Sequence, residues 1–201
     1  MVQAQLTVAE QQGATILRET VTSYQRHDGI VKLTTEGGQQ VKAKKILIAV
    51  GGYTNHLLPR SLSMQLKARS VLLAELDTAE AERLKHFTTM IWWLPDNPVL
   101  DSVYSVPAVP YADGKLYIKI GGSRHQPYLL QTPEDFRNWF HGPGDPEELA
   151  ALREVLLTLL PNLRTTSFSA KTCMVSYTAH NRPYIDCVEP EQVYVVSGGC
   201  G

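Results

Sequence analysis

The segment "TCMVSYTAHNRPYID", residues 172–186, contains Cys173, one of three cysteines at 173, 187 and 200. A cysteine does chemistry as the thiolate, and a free thiol near pKa 8.5 is drawn down by nearby positive charge. Lys171 lies two residues away and shares the strand face of Cys173. The same cysteine would serve equally as a small, inert, buried hydrophobe; on the residues alone both readings stand. Gly51 and Gly52 follow the apolar run "ILIAV". Glycines there let a backbone approach a ligand closely or form a plain turn. Lys119 in "LYIKIGG" alternates with Leu116, Ile118 and Ile120, which by itself reads as the solvated face of a half-buried strand. Tyr104 in "VYSVP" reads by itself as a strand aromatic. The six histidines, at 27, 56, 86, 125, 141 and 180, show no HxH, HxxxH or HExxH spacing, so no metal site is expected. The odd, widely spaced cysteines without a CxxC pair argue against a zinc site or a disulfide framework. Trp92 and Trp93 are expected to pack.

The elements that would position these residues fall into two groups. Residues 2–12 suit a helix stopped at Gly13. Asp28-Gly29 and Gly37-Gly38 mark turns between β-rich runs, which predicts a three-stranded meander. "KKILIAVGG" and "VYVVSGGCG" are continuous apolar strands running into glycines, the pattern of parallel strands buried on both faces. "YTNHLLP" suits a short helix ended near Pro59. Between them, residues 67–76 read as a strand. Asp77 is expected to cap a helix from Thr78, with Glu80 completing a capping box. Residues 101–121 form a long hairpin turned at Asp113-Gly114. Thr132-Pro133 and Asp145-Pro146 start two further helices. Leu149, Leu152, Leu156 and Leu159 give the second an apolar face. "TSFSAKTCMVSYT" returns as strand. The fold class is α/β plus α+β. A partial Rossmann-like parallel sheet with a meander comes from residues 1–60 and 188–201. An antiparallel sheet with covering helices comes from 61–187. Two parallel strands fall short of the usual ~5–6 of a doubly wound sheet. The chain therefore reads as a piece of a longer protein, entered at a helix and left at "GGCG".

The 201 residues are 43% hydrophobic and 19% charged, with a formal net charge of −1. No general attraction to nucleic acid or to an anionic membrane follows. No apolar run approaches bilayer length, and the polar N-terminus has no signal-peptide pattern. Free cysteines suit a reducing compartment, so an intracellular, cytoplasmic location is expected.

The ordered set meander, "ILIAVGGYTNHLL", "ARSVLLAEL", "VYSVPAVPYADGKLYIKIGG", "KTCMVSYTAHNRPYID" and "VYVVSGGCG" resembles the D-amino-acid oxidase superfamily of FAD-dependent oxidoreductases. The resemblance runs over nearly the whole chain and is closest to the monomeric sarcosine oxidase branch. It implies an FAD-binding domain in the outer segments (1–60, 188–201) and a substrate domain at 61–187. By the same resemblance, Cys173 matches a cysteine joined through sulfur to the 8α carbon of the flavin, so FAD would be held covalently there. However, "VSYTAHN" departs from the branch's usual residues. Lys119 matches a lysine near flavin N5 that promotes reaction with oxygen, where a fixed cation stabilises developing negative charge. Tyr104 matches an active-site tyrosine beside the substrate. Ser123 stands where the branch has a histidine, which leaves the substrate's identity open. Gly51 and Gly52 match a strand end against FAD. Val21 matches a backbone contact to adenine, and Gly198 and Gly201 match a glycine segment under the flavin.

The resemblance implies an enzyme that takes hydride equivalents from the α-carbon of a secondary amine or amino acid. The sequence has no GxGxxG, whose glycines admit the pyrophosphate to a helix N-terminus. It also lacks the acidic residue that follows this motif in the family and the branch's N-terminal arginines. The chain alone is expected to bind FAD weakly or not at all. Two alternatives stand beside the covalent oxidase. One is an amino-acid dehydrogenase with noncovalent FAD. The other is a non-catalytic remnant that binds no cofactor.

Overall fold

The computed structural model describes residues 2–199. In chain order the elements begin with α1 (Val2–Gln11), β1 (Val21–His27), β2 (Ile30–Thr35), β3 (Gln40–Ala43), β4 (Ile46–Ile48) and α2 (Thr54–Leu57). Next come β5 (Met64–Leu76), α3 (Thr78–Arg83), β6 (Met90–Trp93), β7 (Leu100–Pro110), β8 (Leu116–Arg124) and β9 (Leu129–Leu130). The last are α4 (Pro133–His141), α5 (Pro146–Leu159), β10 (Ser167–Thr178), β11 (Tyr184–Glu189) and β12 (Val193–Ser197). The chain divides into two compact units. One holds residues up to Ser61 together with Ile185–Val196; the other holds Leu62–Tyr184 and the residues from Ser197 on.

The first unit contains the meander β1-β2-β3 and a sheet of order β11-β12-β4. The glycine-tipped strands β4 and β12 pair in parallel, Val193 opposite Ile46 and Val195 opposite Ile48. They were expected to be buried on both faces, and they are not. Ile48, Val193 and Val195 are buried, but Leu47 is 61% and Val196 39% exposed. The period-two alternation places these residues on opposite faces, and within this unit only one face is covered. The meander is tied to β11 by polar contacts. Tyr24 Oη donates to Glu189 Oε1 at 2.5 Å, and Arg26 Nη1 lies 2.8 Å from Glu189 Oε2. Burial and the neighbouring carboxylate push the Tyr24 hydroxyl well above its usual range, while Tyr24 and Arg26 hold Glu189 below its own.

The second unit is a six-stranded antiparallel sheet of order β10-β5-β8-β7-β6, with β9 also on β5. β5 is its axis: 13 residues with Arg69, Ser70 and Val71–Ala74 all buried. Helix α5 begins where Asp145 accepts from Glu148 N–H and Pro146 takes the first position, which needs no donor. Its Leu152, Val155 and Leu156 pack with Leu72, Ala74, Ile118 and Ile120 into the main core. Helix α4 has a full capping box between Thr132 and Asp135. Its Phe136 and Trp139 pack with Leu66, Ala68 and Met174. Trp92 and Trp93 do not pack as expected; they lie on the edge strand β6, with Trp93 71% exposed.

Asp77 caps α3, accepting from Glu80 N–H at 2.7 Å. The expected capping box does not form, because the Glu80 carboxylate turns inward. It is fully buried and accepts from Arg83 Nε and Nη2 at 2.8 and 2.5 Å. It also accepts from Arg164 backbone N–H and Nε, each at 2.9 Å. Two arginines outcompete one cap N–H for a buried carboxylate. The hydrogen bonds of Arg83 hold the Glu80 carboxyl down to about 2. A carboxyl depressed in the folded state contributes its stability fully above the unfolded pKa and loses it as pH falls through the folded one. Glu80→Gln should cost about 2 kcal/mol in urea unfolding at pH 7. The gap from wild type should close as pH falls from 4.5 towards 2; a gap constant across that range would exclude the ion-pair role.

Candidate active-site face

Alternation on the central strands decides which side chains meet. In the β5–β10 pair Arg69 stands opposite Cys173. In the β5–β8 pair Val71 faces Gly121 and Leu73 faces Lys119, and in the β7–β8 pair Tyr104 faces Gly121 and Ser102 faces Ser123. Arg69, Cys173, Lys119, Gly121, Tyr104 and Ser123 therefore share the face opposite α5. A cleft of about 680 Å³ opens there, lined among others by Arg69, Tyr104, Ser123, Cys173, Met174 and Tyr177.

Contacts fix this arrangement. Lys119 Nζ lies 5.2 Å from the centre of the Tyr104 ring, a cation–π distance. Tyr104 lies flat across Gly121, where a Cβ would meet its Oη at 2.7 Å. Arg69 Nη2 donates to Ser123 Oγ at 3.2 Å. Trp139 Nε1 on α4 donates to the carbonyl of Cys173 at 2.8 Å, which anchors the backbone of this edge strand. Burial raises the Tyr104 hydroxyl, with the Cys173 sulfur adding to the shift.

Cys173 combines both sequence readings. Its side chain packs beside Val71, Leu73 and Tyr117, as a small hydrophobe would. It also borders the cleft. Burial pushes its thiol up, and the charges of Arg69 and Lys119 pull it part of the way back. The expected lowering by Lys171 is corrected here: Lys171 is exposed on its strand, and the cations that act on the sulfur are Arg69 and Lys119. Arg69 was missed in the sequence because "KARSVLLAEL" gives it no distinguishing pattern. A charged residue inside an otherwise apolar central strand was the available signal.

The other candidate residues belong to other elements. Val21 opens β1, paired with Thr35. Gly51 and Gly52 form a short 3-10 turn after β4, with Gly52 buried and Thr54 Oγ1 donating to Gly51 carbonyl at 2.7 Å. Gly198 has φ +81, and any Cβ there would run into the Thr178 methyl, so only glycine fits. Gly201 lies outside the described residues.

Two measurements test this geometry. Gly121→Ala should displace Tyr104 and lower stability by about 1–3 kcal/mol; an unchanged unfolding midpoint would mean that Tyr104 does not rest on Gly121. Under iodoacetamide, peptide mapping should find exposed Cys187 alkylated before half-buried Cys173. The reverse order would show an activated thiol at 173.

A model of the family described as "FAD dependent oxidoreductase" (DAO) matches residues 1–201. No curated protein matches the chain in sequence. Among solved structures, NikD, an unusual amino acid oxidase essential for nikkomycin biosynthesis, matches with TM-score 0.77 at 20% identity, covering 99% of this chain and 51% of its own. A modified fructosyl peptide oxidase from Aspergillus nidulans matches with TM-score 0.70 at 18% identity, covering 97% and 48%. Fructosyl amine: oxygen oxidoreductase (Amadoriase I) from Aspergillus fumigatus matches with TM-score 0.63 at 20% identity, covering 90% and 41%. The chain thus spans about half the length of these structures or less, and at such identities the likeness is one of fold. It is the family model, matched from the first residue to the last, that places the chain in the DAO family of FAD-dependent oxidoreductases.

Proposed function

We propose that this chain supplies the substrate face and part of the cofactor domain of a sarcosine-oxidase-like enzyme that oxidises an amine or amino acid at its α-carbon. The observation that supports the reading is the gathering of Lys119, Tyr104 and Cys173 on one sheet face, where Tyr104 and Cys173 line one cleft and Lys119 sits against the Tyr104 ring. On this reading Leu62–Tyr184 is the substrate domain, and the unit containing β4 and β12 is part of the FAD-binding domain.

The residues present fit a flavin at that face. Gly121 leaves no side chain between Tyr104 and the sheet, the Cys173 thiol borders the cleft, and Lys119 brings a fixed positive charge. FAD, when bound, supplies the two-electron acceptor that the protein lacks. The chain's own residues would then orient and tune. Tyr104 would present its hydroxyl to the substrate while its ring holds Lys119. The Lys119 ammonium would stabilise negative charge developing on oxygen as electrons leave. Gly51, Gly52, Val21 and Gly198 would be backbone positions of close cofactor approach.

A second reading has one observation in its favour. The Cys173 thiol is raised by burial and packs among Val71, Leu73 and Tyr117, which suits a noncovalently held FAD. The full-length protein decides. Purified protein should carry flavin absorbance, and a colourless protein would sink both readings. If flavin stays with the acid-precipitated pellet and Cys173→Ser releases it, the link is covalent; flavin in the supernatant assigns the noncovalent form. In stopped-flow measurements Lys119→Met should slow flavin reoxidation by about a hundredfold and leave reduction nearly unchanged. Equal slowing of both half-reactions would remove Lys119 from the oxygen step.

A further inference from the structure

Glu148 and Arg69 are two buried charges beside one gap in the sheet. Strand β8 pairs with β5 from Leu76 back to Val71, and β9 takes over at Lys67 and Leu66. The Ala68 N–H donates to the Tyr128 carbonyl at 2.8 Å, on the β9 side. N–H groups two residues apart point the same way along a strand, so the Ser70 N–H points into the gap. Its acceptor is Glu148 Oε2, at 3.0 Å. The Ser70 hydroxyl accepts from the Asp145 N–H at 2.9 Å, which fixes the start of α5 beside the same gap. Glu148 is 1% exposed, and its Oε1 has no hydrogen-bond partner.

Arg69 stands next to Ser70 on the cleft side. Its Nη2 reaches Ser123 Oγ at 3.2 Å, on β8 beyond the last pair with β5, and its Nη1 is buried without a partner. No carboxylate lies within ion-pair distance of it among the described residues. A guanidinium taken out of water needs an anion nearby to offset its desolvation. Burial raises the Glu148 carboxyl, Ser70 hydrogen bonding and the Arg69 charge pull it back, and Asp145 adds to the rise. The first turn of α5, where Glu148 sits, also favours an anion. Across the strand pair from Arg69 is Cys173. Burial raises its thiol, Arg69 and Lys119 draw it down, and Glu148 pushes it up again. The neighbouring phenols are neutral: burial raises Tyr104 and Tyr111, and a hydrogen bond to Asp113 raises Tyr117. Lys171, on the strand of Cys173 itself, is exposed.

We infer that Glu148, reaching into the gap between β8 and β9, is the counter-charge of Arg69 and a positioning residue for Cys173, whose sulfur it keeps unreactive through its charge. A negative charge set in the sheet opposes a second one forming on sulfur and offsets the two cations that would favour it. The inference rests on the geometry of the gap and not on the oxidase reading.

Glu148→Gln keeps an acceptor for the Ser70 N–H and removes the charge. In the 201-residue chain, alkylation of Cys173 by iodoacetamide is followed by peptide mapping as a function of pH. The thiol of the variant should titrate at lower pH than that of wild type. Alkylation should be about threefold faster near neutral pH and about threefold slower on the alkaline plateau, because a less basic thiolate is a weaker nucleophile. A role confined to packing would instead loosen the cleft and speed the reaction at every pH. That result, or an unchanged profile, would overturn the proposal. Should Glu148→Gln fail to fold, the wild-type chain decides by NMR. The carboxyl carbon of Glu148 should give the resonance of an anion at about pH 8 and step once more as Cys173 ionises, and Cys173→Ser should remove that second step. A carboxyl still protonated there, no second step, or a second step that survives Cys173→Ser would each exclude Glu148 from control of the sulfur.

Discussion

The register of β5 against its two long neighbours governs everything on the candidate face. A strand shows alternate residues to opposite sides, and a one-residue slip would exchange the two sets completely. With Arg69 opposite Cys173 and Val71 opposite Gly121, the odd-numbered positions turn to the cleft and Ser70, Leu72 and Ala74 turn to α5. The register is held by the apolar set: Leu72, Ala74, Ile118 and Ile120 bury against Leu152 and Leu156. Slipping would place Arg69 in that core and leave the leucines in the cleft. The energy that fixes the polar cluster therefore comes from the side of the sheet that does no chemistry.

The same sheet carries a cost on its polar side. Lys119, Lys67 and Arg69 share a face by alternation, the cleft that Arg69 lines has no aspartate or glutamate in its wall, and Nη1 of Arg69 is left without a partner. Packing that is otherwise well satisfied holds this strain in place. Trp139 secures the carbonyl of Cys173, and α4 and α5 begin with well-made caps. Glu80 offers a contrast on the same unit: a buried charge met by two arginines and four hydrogen bonds. Glu80 is fully compensated where it ties an α-helix to a loop, whereas Arg69 Nη1 and Glu148 Oε1 are buried without hydrogen-bond partners.

Local signals in the sequence carried far. The turns at Asp28-Gly29 and Asp113-Gly114, the caps at Thr132 and Asp145 and the apolar face of α5 are each encoded by a few adjacent residues. Each appears where those residues place it. The two glycine-tipped strands were legible as a parallel pair because they are the two continuous apolar runs that end in paired glycines, and they do pair in parallel. Burial on both their faces was not legible, since it depends on what covers the sheet and not on the strand. Glu80 and the Trp92–Trp93 pair were misread for the same reason. A capping carboxylate and an apolar pair look alike in sequence whether their partners are near or far.

What the residues fixed by themselves were the helices and most of the strands, their order, the family resemblance and Lys119, Tyr104 and Cys173 as candidates. These rest on short-range patterns and on matched segments. Only the tertiary structure decided which side chains stand together. It replaced Lys171 with Arg69 as the cation facing Cys173, laid Tyr104 across Gly121 and left one guanidinium donor unpaired. The reason is that cross-strand register joins residues about 100 positions apart, as in Arg69 and Cys173. No local pattern encodes such a pairing before the core has packed.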